Sequence, residues 1–147
     1  MKLKLENINK SFFIRKNKSQ IVLNDLNVTF PNKGFVSILG NSGNGKTTLL
    51  NTIGGLDKPD SGAVIFNKEA VKDFDKFRRE NLGYVFQDAN LIPHLTAVDN
   101  VIVSMSGKDK KERAIQILTD LGLQADYHKK PKELSGGQMQ RVAIGRM

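Results

Sequence analysis

The residues best able to do chemistry stand together in Gly40-Asn41-Ser42-Gly43-Asn44-Gly45-Lys46-Thr47-Thr48. Gly40, Gly43 and Gly45 carry no side chain to hold the backbone away from an anion, so successive N–H groups can converge on a phosphate in a concave nest. Lys46 brings a point charge suited to the β- and γ-phosphates of a nucleoside triphosphate, and the Thr47 hydroxyl is a small oxygen donor suited to Mg²⁺. A helix beginning near Lys46 would add its unpaired N-terminal N–H groups and the positive end of its dipole. Two glycines, a lysine and a hydroxyl residue at this spacing arise by chance in a chain of this length with a probability on the order of 1%. The pattern predicts a loop that binds a nucleoside triphosphate.

A second constellation is Leu134-Ser135-Gly136-Gly137-Gln138, followed by the helical pattern Met139 to Ile144. Ser135 stands as an N-cap, and Gly136 and Gly137 bare the backbone at a helix start, which makes another anion site. Two further residues are candidates by position. Gln87 follows the apolar run Leu82 to Phe86, directly beyond the expected carboxyl end of a strand, where α/β folds bind ligands. Phe12 and Phe13 lie at the end of the first strand, where an aromatic face can stack on a nucleobase or equally pack in the β layer.

The elements that must position these residues follow from periodicity. Lys2 to Ile8 and Ile21 to Phe30 alternate as half-buried strands joined by a turn at Lys16-Asn17-Lys18-Ser19, which predicts an antiparallel β layer. Gly34 to Leu39 reads as a short buried strand entering the loop, and the helix after it is expected to end at Gly54-Gly55. Asp57 to Gly62 reads as a turn, Ala63 to Phe66 as a strand, Phe74 to Glu80 as a charged helical turn and Leu82 to Phe86 as an apolar strand. Helical patterns follow, one capped by Thr96 and ending at Ser106-Gly107, the next from Lys110 to Leu121 with Ala114, Ile117, Leu118 and Leu121 on one face. The expected organisation is an α/β phosphate-loop core with an antiparallel β layer over residues 1–89, an α-helical subdomain over 90–134, and the second constellation with the start of its helix over 135–147.

The chain has 147 residues, room for one domain or part of a larger one. It has no cysteine, so nothing argues for an oxidising compartment, and no run of the ~18 apolar residues needed for a membrane span, so the cytoplasm is the expected location. The formal net charge of +8 is spread over several lysine- and arginine-containing segments without a nucleic-acid-binding motif. Solvated surface is the first reading of that charge, proximity to an anionic membrane the second, and no nucleic-acid partner is expected.

Together these motifs resemble the ATP-binding domain of ABC transporters. Gly40 to Thr47 resembles the family's Walker A loop, Gln87 its Q-loop glutamine and Leu134 to Gln138 its signature, in the family's order. Phe12 takes the place of the aromatic residue that stacks on adenine. Gly54 to Gly62, Gly83 to Gln87 and Asn90 to Pro93 look most like the lipoprotein-releasing and macrolide- or peptide-exporting branch. The resemblance implies ATP and Mg²⁺ as cofactors, the latter held by Thr47 and Gln87, with Lys46 and Gln87 taking part in catalysis. It also implies a second ATP-binding subunit paired head to tail, so that Ser135, Gly136, Gly137 and Gln138 of one copy close over the nucleotide of the other. A transmembrane permease would hold the protein at the inner face of the membrane. The family pattern continues beyond the signature into a Walker B strand with its Asp and Glu, a D-loop and a switch histidine, none of which can be assigned here. His94 and His128 both precede the signature. The expectation for these 147 residues alone is therefore negligible steady hydrolysis. The alternative reading is a non-hydrolytic nucleotide-binding or partner-docking fragment; P-loop enzymes acting on DNA are disfavoured by the lack of long coiled-coil heptads.

Overall fold

The computed structural model describes residues 2–15 and 18–147, which group into two compact units, Met1–Leu82 and Gly83–Met147. The first is built on a long ribbon. Strand β1 (Leu3–Arg15) pairs antiparallel with β2 (Lys18–Thr29), and on its other side with β3 (Ser61–Phe66), which in turn pairs with the short β4 (Glu69–Ala70). The sheet order is β2-β1-β3-β4, antiparallel throughout. Lys16 and Asn17 of the expected turn lie outside the described residues; Lys18 and Ser19 already belong to β2.

The ribbon is interrupted by bulges on both strands, where Asn7 and Asp25 adopt positive φ of 49° and 43°. Asn and Asp tolerate this conformation because their short side chains can bond locally. Here the Asn7 amide donates to Asp25 Oδ1 at 2.9 Å and the Asp25 N–H donates to Asn9 Oδ1 at 2.8 Å, so side chains replace the lost ladder bonds.

Helix α1 (Lys46–Gly54) lays Ile53 and Leu49 on one face of this sheet, against Leu5, Ile8, Leu23 and Val64. Helix α2 (Phe74–Asn81) closes the unit. Arg78 Nη1 donates to the carbonyls of Gly54 at 2.8 Å and Gly55 at 3.1 Å, putting a cation on the negative end of α1. Phe77 packs edge-to-face on Phe66 and Phe74.

Two sequence expectations are not met. Gly34 to Leu39 and Leu82 to Phe86 lie outside every ladder among the described residues. A strand is a pairing, and apolar runs of this length specify burial without specifying a partner. Phe35 and Leu39 are 93% and 88% exposed.

The second unit is helical. Helix α3 (Ala97–Ile102) is shorter than expected, ending four residues before Ser106-Gly107, whereas α4 (Lys110–Asp120) is close to its expected span. With α5 (Gly136–Gly145) they share one core of Ala97, Val98, Val101, Ala114, Leu118, Leu123, Leu134 and Val142. The segments 90–134 and 135–147, separated by motif in the sequence, thus pack around the same apolar cluster. At the α4–α5 crossing, a Cβ on Gly145 would stand 3.1 Å from Ile117 and 3.2 Å from Leu121, so this glycine at the carboxyl end of α5 permits close helix packing. Asn100, fully buried, accepts from the Ile92 N–H at 2.7 Å and donates to the carbonyls of Ile92, Leu95 and Thr96, fixing the segment that leads into α3. Among the described residues no helix is long and apolar enough to cross a membrane.

Candidate nucleotide site

The site residues divide between the two units. In the first, Gly40 to Thr48 forms a loop that turns into α1 at Gly45. The first intrahelical bond runs from the Leu49 N–H to the Gly45 carbonyl at 2.8 Å, so the N–H groups of Lys46, Thr47 and Thr48 have no acceptor inside the helix. Gly45 has no side chain to cap them, so they remain available to an anion.

Gly45 is the residue on which this arrangement depends. Its φ of 78° is in the left-handed region, and a Cβ there would lie 2.8 Å from Val22 Cγ1 and 3.3 Å from the Val22 carbonyl. The loop is therefore seated directly against β2, at the bulge where Lys10 pairs with Leu23 and Ser11 with Ile21. Inside the loop, the Lys46 ammonium donates to the carbonyls of Gly40 and Asn41, both at 2.7 Å. The lysine thus folds back over the loop that precedes it and holds its charge against the carbonyls of Gly40 and Asn41. Thr47, exposed at the second position of α1, presents its hydroxyl at the same helix end.

Phe12 pairs with Gln20, two residues along β2 from Val22, so it stands about 7 Å along the ribbon from the residue that touches the loop. The Phe12 ring is 40% exposed, with the Lys10 ammonium 5.1 Å from its centroid. Phe13 alternates away and is 89% exposed.

The second unit holds Gln87 and the signature residues. Ser135 Oγ accepts from the Gln138 N–H at 3.3 Å, while Gln138 Oε1 accepts from the Ser135 N–H at 2.8 Å, forming a reciprocal capping box at the start of α5. Gln138 is further tied by its amide to Asp126 Oδ2 at 3.0 Å, and Asp126 is paired with Lys129 at 2.6 Å. Both ends of the Gln138 side chain are therefore engaged in shaping the helix start. Gly136 and Gly137 behave differently. An added Cβ would meet nothing within 4 Å at Gly136 and only the Arg141 guanidinium, at 3.9 Å, at Gly137. Neither glycine is demanded by packing within the unit, and their N–H groups precede the first intrahelical bond, from the Met139 N–H to the Ser135 carbonyl at 2.9 Å.

Gln87 is brought to this helix by a residue the sequence reading overlooked. Gln140 Nε2 donates to the backbone carbonyls of Gln87 at 2.5 Å and Phe86 at 3.2 Å. Gln87, Asp88, Asn90 and Leu91 then face Met139 and Gln140 across a cavity of about 520 Å³. Gln140 lies five residues beyond Ser135, one helical turn past the cap, and its position on the same helix was the available signal.

Comparison with known proteins identifies the family. The family description "ABC transporter" matches residues 23–147. The chain is 41% identical to the ABC transporter ATP-binding protein MJ0796 of Methanocaldococcus jannaschii, covering 98% of this chain and 67% of that one. It is 42% identical to the lipoprotein-releasing system ATP-binding protein LolD of Bacteroides thetaiotaomicron, covering 98% and 68%. Against the macrolide export ATP-binding/permease protein MacB of Neisseria gonorrhoeae the identity is 42%, covering 98% of this chain and 24% of that one. The chain thus spans about two thirds of the length of the first two. A dimeric post-hydrolysis structure of MJ0796 bound to ADP and Pi superposes with a TM-score of 0.88 at 40% identity, covering 98% of this chain and 68% of that one. These relatives favour the transport-ATPase reading over the non-hydrolytic one. The chain belongs to the ATP-binding proteins of ABC transporters, a family that binds and hydrolyses ATP.

Proposed function

We propose that this protein powers the export or extraction of a substrate through a membrane permease, by binding ATP between two copies of itself. The observation that carries the reading is the pair of helix starts just described. One, α1, has unpaired amides behind a lysine-bearing glycine loop; the other, α5, has two glycines that nothing in their own unit requires. A second phosphate cradle with open space over it is suited to a nucleotide delivered from outside, which is what head-to-tail pairing provides.

In this reading the amides of Gly43 to Thr48 cradle the phosphates, Lys46 neutralises charge developing on the transferred phosphoryl group, and Phe12 stacks on the base. Asn41, Ser42 and Asn44 fill the loop between its glycines, and Gly40 allows its entry. Mg²⁺ fits the donor set as an ion shared with the phosphates: Thr47 offers one hydroxyl oxygen, and among the described residues no group of three acidic, His or Cys side chains could cage a metal alone. Bound there, the ion would neutralise phosphate charge. Gln87 is the side chain that the family resemblance offers as a further oxygen donor to Mg²⁺ or to a water. Ser135, whose oxygen accepts from Gln138, retains its O–H as a donor to the partner copy's γ-phosphate, beside the Gly136 and Gly137 amides; Gln138 holds that arrangement in shape. The permease would dock on the helical unit and keep the protein at the cytoplasmic face of the membrane. LolD- and MacB-like relatives support a lipid-linked or amphiphilic substrate class.

Sedimentation of the protein with and without the β,γ-imido analogue of ATP and Mg²⁺ tests this. Nucleotide-dependent dimers that disappear in a Gly136→Glu variant, with monomer affinity retained, are expected. A monomer at all nucleotide concentrations, or dimers indifferent to Gly136→Glu, would refute the pairing.

A further inference from the structure

The turn between α1 and β3 is bound to β1 at the three residues before Phe12. The β1–β3 ladder ends at Asn9 and Ser61, and the Asp60 N–H donates to the Asn9 carbonyl at 2.8 Å. Beyond that rung the Asp60 carboxylate takes over: its Oδ2 accepts from the Ser11 N–H and the Ser11 hydroxyl, both at 2.7 Å. The Lys10 ammonium lies 3.6 Å from Asp60 Oδ1, donates to the Lys58 carbonyl at 2.7 Å, and stands over the Phe12 ring. Gly62, next but one after Asp60, makes the close approach possible: a Cβ there would lie 2.4 Å from the Asn7 carbonyl oxygen.

Two consequences follow for Phe12. Its backbone is anchored one residue upstream by two bonds to a carboxylate, and charge-assisted bonds of this kind are about twice as strong as neutral ones. Its ring has one face taken by an ammonium that the same turn holds in place, which leaves the opposite face for a base. The hydrogen bonds from Ser11 also hold the Asp60 carboxyl below its ordinary pKa, so it is ionised at neutral pH.

We propose that Asp60 is a positioning residue for the nucleobase: through Ser11 and Lys10 it fixes the Phe12 ring in the orientation that stacks on adenine. The inference rests on the stacking role of Phe12 given above. Asp60 touches neither phosphate nor base, so its influence is confined to ligands that carry a base.

The test compares the affinity of the protein for Mg-ATP with that for inorganic tripolyphosphate, by calorimetry. Phe12→Ala should weaken ATP about tenfold, the worth of one base–aromatic stack, and leave tripolyphosphate within about twofold. Asp60→Ala should weaken ATP by roughly three- to tenfold with tripolyphosphate unchanged, and should add less than about twofold on the Phe12→Ala background, because coupled residues are not additive. Ser11→Ala, which keeps the backbone donor, should give a smaller loss, and Asp60→Asn, which keeps one acceptor oxygen, should recover part of it. Equal weakening of both ligands by Asp60→Ala, no weakening of ATP, or full additivity with Phe12→Ala would overturn the positioning role while leaving the stacking role standing. An ATP affinity indifferent to Phe12→Ala would overturn both.

Discussion

Replacing Gly45 by Ala tests the physical basis of the phosphate loop at its tightest point. The substitution forces an L-residue to hold a φ of 78°, a left-handed conformation that costs about 1–2 kcal/mol. It also places a methyl carbon 2.8 Å from Val22 Cγ1, where carbon–carbon contacts are most favourable near 3.5–4.0 Å. Overpacking of this kind costs about 1–3 kcal/mol when neighbours must shift. The sum, about 2–5 kcal/mol, corresponds to a loss of ATP affinity between roughly 30-fold and a few thousandfold if the loop leaves its seat to relieve the strain. The two contributions are separable. Val22→Ala removes the obstructing methyl and should restore most of the steric share in the double variant, while the tight contact with the Val22 carbonyl and the left-handed share persist. Val22→Ala alone should change ATP affinity by less than about threefold, since Gly45 leaves the Val22 side chain room that the smaller alanine does not need. Calorimetric titration of the four proteins with Mg-ATP, with thermal melts to confirm folding, gives the comparison. Unchanged affinity in Gly45→Ala, or a double variant no better than the single one, would refute the argument that β2 seats the loop.

Other expectations follow from the contacts. Ser135→Ala removes the oxygen that caps α5 and should destabilise the helical unit by about 1 kcal/mol in urea unfolding, with Ser135→Asp retaining most of that stability. Arg78→Ala deprives the carbonyls of Gly54 and Gly55 of their cationic donor and should destabilise the first unit by about 1–2 kcal/mol, whereas Arg79→Ala, one position round the helix, should be nearly neutral. The pKa of Asp60 is lowered from its ordinary value of 3.8, first by the Ser11 hydroxyl, then by the Ser11 N–H. A depressed carboxylate contributes stability that is present above its unfolded pKa and lost as the pH falls through the folded one. The stability difference between the protein and Asp60→Asn should therefore be constant above about pH 5 and shrink only below pH 4; a difference that changes between pH 6 and 8 would contradict this.

What the sequence disclosed, and what it withheld, has a common physical cause. Local chemistry was legible. Gly40, Gly43 and Gly45 bare the backbone of the phosphate loop, and Ser135 caps a helix whose start Gly136 and Gly137 leave open. Each is decided within a few residues of chain. Pairing at a distance was not legible. Gly34 to Leu39 has the composition of a buried strand, yet composition names no partner, and the run lies outside every ladder described. The contacts that place the site are of the same kind: Asp60 to Ser11 spans 49 residues and Gln140 to Gln87 spans 53. Both are polar side chains on backbone donors or acceptors, and such residues read from the sequence as ordinary solvated surface. Gln138 is the instructive intermediate case. Its motif marked it as part of a phosphate site, and its side chain is engaged with Ser135 and Asp126 within its own unit. In the proposed pairing its contribution is the shape of the helix start.

In the proposed site Lys46, folded over the carbonyls of Gly40 and Asn41, binds the phosphates of ATP together with the amides at the start of α1. Calorimetric titration of Mg-ATP into the protein and into Lys46→Ala measures this most directly. Saturable binding at one site per chain is expected, weakened at least about tenfold in Lys46→Ala, since the loss of a charged partner to a phosphate exceeds about 1.4 kcal/mol. Binding of equal strength in both proteins would contradict it.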